Sequence, residues 1–233
     1  MEILEYYNYS EHATYSIIWF LPLIIGSLFA SAAIGIGLGL LSPSPDIKGF
    51  AIIGSRAAGK TTLWNRILGE SRGGATSREN IPARQIERGG KTFTIKMSKD
   101  IGGGDGFVRT DYDELIKGKD FVIFLFNGYE LTKDDEYGKH ELITVQSRLL
   151  KLSKSVEESS IPGQFHIIAT HADKFLKDKG SYETWKDRIY EKIGDKYFKK
   201  IKGFDKDKNF LLIDLTNPNA IDKYINENLF NIK

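Results

Sequence analysis

Apolar and polar positions along the chain divide it into one long uncharged run followed by short apolar runs that alternate with amphipathic stretches. From Ile17 to Leu41 no residue is charged. Since about 20 apolar residues cross the hydrocarbon core of a bilayer, this run predicts a transmembrane helix over residues 17–41. Pro22 suits its first turn, and Pro43 and Pro45 stop it. Downstream, Phe50 to Ile53 predicts a short strand and Thr61 to Leu68 a helix. Ile81 to Arg88 and Lys91 to Met97 alternate on either side of Gly89-Gly90, the pattern of a hairpin with a two-residue turn. The continuous apolar run Asp120 to Asn127 suits a buried parallel strand. Phe165 to Ala169 and Asn209 to Asp214 add further strands, while Glu136 to Ser159 and Ala220 to Phe230 predict helices. Together these elements predict an α/β fold: a doubly wound, mostly parallel sheet with one antiparallel hairpin, preceded by one transmembrane helix.

Charge reinforces the division. The chain carries 33 basic and 31 acidic residues, yet its first 45 positions hold no Lys or Arg and only the acids Glu2, Glu5 and Glu11. Tyr6, Tyr7, Tyr9, Tyr15, Trp19 and Phe20 gather at the entry to the uncharged run, as amphipathic rings do at headgroup level. Lys48 and Arg56 follow the run and no basic residue precedes it, which orients the N-terminus outside and the remainder in the cytosol. The expected organisation is an extracytosolic segment 1–16, a bilayer span 17–41, a linker 42–48 and one domain over 49–233, in a single-pass membrane protein. Gly35 and Gly39 form a GxxxG whose close helix approach would permit a homodimer. The absence of cysteine excludes disulfides and Cys-based metal sites, and four scattered histidines form no zinc motif. Lys174 to Lys208 interleaves basic, acidic and aromatic residues, but alternating charge on a solvated helix accounts for it and no nucleic-acid reading module accompanies it.

The chemistry begins at Gly54 to Thr61, GSRAAGKT, which matches GxxxxGK[ST] between a predicted strand and a predicted helix. Gly54 and Gly59 let the backbone curl so that N–H groups across Ser55, Arg56, Ala57 and Ala58 face a phosphate, beside the helix start at Thr61 and Thr62. Lys60 supplies the charge that bridges β- and γ-phosphates, and Thr61 a hydroxyl for Mg²⁺. Asp100 lies just past a predicted strand end, where a carboxylate can hold Mg²⁺ through water.

In that order, GSRAAGKT, then DIGG at Asp100 to Gly103, then THAD at Thr170 to Asp173 resemble the motifs of Ras-like P-loop GTPases, over roughly Phe50 to the C-terminus. The resemblance implies that Gly103 offers its backbone N–H to a γ-phosphate and that Thr76, next to Ser77, closes over Mg²⁺. It further implies that Asp173 accepts hydrogen bonds from guanine, with Thr170, His171 and Lys174 around it and Thr216 and Asn217 in the final base-contacting loop. His171 stands where the family has Lys, and LTNP (Leu215 to Pro218) matches the final loop poorly. A plain loop carboxylate beside Lys174 is the other reading of Asp173. The single uncharged run resembles the architecture of the membrane-anchored β-subunit of the signal-recognition-particle receptor, and the DxGG form that of Arf-like proteins.

These readings give an expected function: a membrane-anchored switch that binds GTP or GDP with Mg²⁺ and recruits an unnamed protein partner through the segments around Thr76 and Gly103. The rivals are a constitutively loaded receptor or scaffold without turnover, and a P-loop ATPase or phosphotransferase. Gly104 stands where many Ras-like proteins place a water-orienting Gln, and Arg56 sits within the phosphate loop, so hydrolysis is expected to be slow without a partner. Asp105 and Arg109 read as solvated loop charges.

Overall fold

The computed structural model describes residues 46–70, 79–100, 112–158, 164–176 and 181–232. All of them fall within one compact unit, Pro45–Lys233. Its centre is a four-stranded parallel sheet of β2 (Phe50–Gly54), β7 (Phe121–Asn127), β8 (Gln164–Thr170) and β9 (Phe210–Leu212), in the order β2-β7-β8-β9. The remaining strands form two smaller sheets. β1 (Asp46–Lys48), β4 (Arg84–Arg88) and β5 (Lys91–Ile95) pair in the order β1-β5-β4, with β1 parallel and β4 antiparallel to β5; β3 (Glu79–Ile81) pairs antiparallel with β6 (Ser98–Asp100).

The helices are α1 (Lys60–Leu68), α2 (Tyr112–Ile116), α3 (Gly128–Thr132), α4 (Glu136–Glu158), α5 (Ser181–Ile193), α6 (Asp195–Phe198), α7 (Lys206–Asn209) and α8 (Pro218–Tyr224). A 3₁₀ turn covers Ala172–Lys174, and a π-helical turn, Ile225–Leu229, continues α8.

The long apolar run of β7 is explained by burial on both faces. Val122, Phe124 and Phe126 enter one core with Val145, Leu149 and Leu152 of α4 and Ile189 and Ile193 of α5. Phe121, Ile123 and Leu125 enter the other with Leu63, Trp64 and Ile67 of α1 and Ile221 and Tyr224 of α8. Successive strand side chains point to opposite faces, so a strand covered on both sides must be apolar throughout. Each fully buried side chain of this size contributes roughly 1.5–3 kcal/mol. The second core is tied together by rings: Phe50 meets Trp64 edge-on at 6.2 Å and stacks on Phe121 at 5.3 Å.

Two expectations are corrected. The strands do not form one doubly wound sheet with a hairpin at its side; the sheets are small and separate. The break lies at Pro82, which has no N–H to give, and Ala83, opposite Lys96 and Met97, so the expected hairpin is divided into the β4–β5 and β3–β6 pairs. At Gly49 the chain changes partner: the Lys48 carbonyl accepts from Lys96 N at 2.9 Å, and the Gly49 carbonyl from Asp120 N and Phe121 N at 2.8 and 3.0 Å. Asp46–Lys48, expected within a linker, is thus a strand.

The second correction concerns the membrane. No helix among the described residues is long and apolar enough to cross one, so a single-pass membrane protein with a transmembrane helix, an outside N-terminus and a cytosolic domain is not supported. The expected span 17–41 and its Gly35/Gly39 face lie outside the described residues.

Candidate phosphate and base site

The loops after β2, β7, β8 and β9 all leave the carboxyl ends of the parallel strands, the edge where open α/β sheets bind ligands. The candidate phosphate loop begins at Gly54, with φ +145°, and a Cβ there would stand 1.8 Å from the Leu125 carbonyl oxygen of the neighbouring strand. Only glycine fits. Ser55 N donates to that same carbonyl at 2.9 Å. Ala57 (φ +56°) and Gly59 (φ +83°) are left-handed, which curls the loop into α1. Gly59 is the N-cap of α1 and has no side chain with which to cap it, and no acid occupies the first turn. A helix N-terminus of this kind, with neither a capping side chain nor an acid in its first turn, favours an anion.

Lys60 is buried, and its Nζ donates to the carbonyls of Ser55 at 2.7 Å and Gly54 at 3.4 Å. Arg56, Ala57 and Thr62 are exposed, Ala58 is buried, and Thr61 is half-buried on the first turn of α1.

Two other segments reach this loop. His171 follows β8 with φ +58°, and its Nε2 lies 3.1 Å from the Ala57 carbonyl oxygen. With a carbonyl as partner, Nε2 is the protonated nitrogen. From the loop after β9, Leu215 packs on Gly59: a Cβ on that glycine would stand 2.4 Å from Leu215 Cδ1. Asp173 is exposed in the 3₁₀ turn beyond His171, 3.2 Å from Lys174 Nζ. The loop of Ser55–Gly59, the His171–Lys174 turn and the Leu215 loop therefore converge.

Other expected site residues have structural partners. Thr170 is buried, its hydroxyl donating to the Phe126 carbonyl at 2.9 Å. The Thr216 hydroxyl and N–H both donate to Asp214 Oδ1, and Asn217 Oδ1 caps α8 by accepting from Asn219 N and Ala220 N. Thr76 and Gly103 lie outside the described residues. Asp100 is the last residue of β6. Among the described residues no group of His, Cys, Asp and Glu is clustered to hold a metal ion.

Beneath the loop lies a polar group that the sequence reading did not anticipate. Glu141 of α4 is buried, and its Oε1 accepts from Ser55 Oγ at 2.6 Å and from Asn127 N at 2.9 Å. Arg148, two helical turns further on, is buried too and donates from Nη1 to the Gly54 carbonyl. Burial pushes the Glu141 carboxyl above its usual range, against the opposing pull of Ser55, Asn127 and Arg148. A signal for this pair existed: Glu141, Val145, Arg148, Leu149 and Leu152 are spaced as one helix face, so two charges interrupt an otherwise apolar stripe.

No family model matches the chain, and no curated protein matches it. Among solved structures, the crystal structure of an SsGBP mutation variant aligns with 15% identity and a TM-score of 0.47, over 79% of this chain and 56% of that chain. The chain thus spans about half the length of that structure's chain, and a likeness of this degree assigns no function.

Proposed function

We propose that this chain is a guanine-nucleotide-binding protein in which the loop Gly54–Thr61 takes the phosphates and Asp173 the base. The observation that carries the reading is the contact between His171 Nε2 and the Ala57 carbonyl, which brings the loop before Asp173 against the phosphate loop. A carboxylate held at one fixed reach from a phosphate site accepts from the ring N–H and amino group of guanine; adenine has no such donor pair. The residues fit a bound nucleotide: the helix start carries no competing acid, and the glycines at 54 and 59 have backbone angles suited to the curl. Mg²⁺ would take the Thr61 hydroxyl, with Thr76 closing over it and Asp100 holding it through water, and would neutralise phosphate charge.

The output of such a site is a nucleotide-dependent binding state that engages a protein partner through the segments around Thr76 and Gly103. Turnover is slow without a partner, since Gly104 lacks the side chain to orient water. Titrating the full chain with GTP, GDP and ATP tests the reading. Guanine nucleotides should bind at least tenfold more tightly than ATP, Lys60→Ala should abolish binding, and release of phosphate should stay well below one per second. Equal binding of ATP, or transfer of phosphate to an acceptor other than water, would instead support a P-loop ATPase or phosphotransferase.

A further inference from the structure

We propose that Glu141 is a positioning residue for the phosphate loop, one of its two carboxylate oxygens tying Ser55 at the start of the loop to Asn127 at the end of the neighbouring strand. The inference rests on the nucleotide reading above, because it assigns what the tied loop is for. Its geometry is independent of that reading. Glu141 Oε1 takes the Ser55 hydroxyl at 2.6 Å and the Asn127 N–H at 2.9 Å. Asn127 in turn caps α3, its Oδ1 accepting from Glu130 N at 3.1 Å. On the other side of Ser55 the backbone carbonyl holds Lys60 Nζ at 2.7 Å. Ser55 is therefore gripped at both ends, by Glu141 through its hydroxyl and by the phosphate-binding lysine through its carbonyl.

Arg148 completes the arrangement by donating to the Gly54 carbonyl. The same helix thus fixes two consecutive residues of the loop, one through an anionic acceptor and one through a cationic donor. A buried acid behind an anion site is electrostatically unfavourable unless it serves the loop in another way, and a nearby buried guanidinium offsets it. Two hydrogen bonds converging on one buried carboxylate oxygen also order a loop before its ligand arrives, which removes an entropic cost from binding. The carboxylate acts as an acceptor rather than as a charge, so a neutral acceptor of the same shape should replace it.

The test compares Glu141→Gln and Glu141→Ala in the full chain by hydrogen exchange of the 54–61 amides without nucleotide and by affinity for GDP, GTP and ATP. Expected for Glu141→Ala is about tenfold faster exchange confined to the loop and about tenfold weaker binding of both guanine nucleotides, with the guanine preference unchanged. Expected for Glu141→Gln is near-native exchange and native or tighter binding, since both hydrogen bonds are kept and a negative charge is removed. Ser55→Ala removes the same bond from the other side and should loosen the loop alike even if Glu141→Ala fails to fold. Unchanged loop exchange in Ser55→Ala and Glu141→Ala alongside normal nucleotide binding would overturn the positioning role alone. Equal loss in Glu141→Gln and Glu141→Ala would show that charge, not acceptance, matters, and would overturn it too. A native chain that binds no nucleotide although these variants loosen the loop would remove the nucleotide reading, and the inference with it.

Discussion

The imidazole of His171 meets the backbone of Ala57 at 3.1 Å, and both residues hold left-handed backbone. The contact joins the loop after β8 to the middle of the loop from Gly54 to Thr61 across 114 positions of sequence. The ring N–H of His171 is what gives to that carbonyl. His171→Ala should weaken guanine nucleotides about three- to tenfold, the net worth of one hydrogen bond, and His171→Lys should weaken them less. Isothermal titration of the three proteins with GDP checks this.

Gly54 and Gly59 are both glycine for steric reasons, but their substitutions should differ in kind. Gly54→Ala drives a methyl into the backbone carbonyl of Leu125, which cannot yield without breaking the β2–β7 pairing. It should cost about 3 kcal/mol or more in urea unfolding. Gly59→Ala meets only the end of the Leu215 side chain, so its cost should be about 1–2 kcal/mol from the left-handed backbone plus a smaller steric part from displacing Leu215. Adding Leu215→Ala should recover the steric part of the loss, read as a non-additive double-mutant cycle.

His166 of β8 gives the fold a dependence on pH. It is buried against Tyr224, with Nδ1 2.8 Å from the phenol oxygen, and burial pushes its pKa from 6.5 down to about 4. The unfolded chain then binds a proton below pH 6.5 that the folded chain refuses until about pH 4. Stability attributable to His166 is therefore fully present above pH 6.5 and lost as pH falls from there to about 4, amounting to about 3 kcal/mol. Urea unfolding at pH 7 and pH 4.5 should show a smaller acid loss in His166→Leu than in the native chain. Equal losses would mean that His166 is not the sensor.

The core strands were legible because their burial writes itself into composition: a seven-residue strand covered on both faces has little choice but to read FVIFLFN. The loop from Gly54 to Gly59 was legible as a tight turn between strand and helix because glycine is demanded there by φ and by close approach of neighbouring atoms. Sheet continuity was not, although Pro82 and Gly49 mark where pairing breaks; alternation reports which face is buried, not which strand supplies the partner. Glu141 and Arg148 are hidden in the sequence for a different reason. Charged residues on a long helix usually face water, and their spacing on a buried face acquires meaning only once α4 is seen to pass beneath the loop. Asn217, expected near the base, caps the helix that follows it, a role that its place before Pro218 also suits.

The most direct measurement is the affinity of the full chain for GDP and ADP, native and with Asp173→Asn, under identical Mg²⁺ and salt. A guanine preference of at least tenfold in the native chain, reduced to near parity by Asp173→Asn without loss of fold, is the predicted result. No preference in the native chain, or a preference that Asp173→Asn leaves intact, would contradict the assignment of this site to guanine nucleotides.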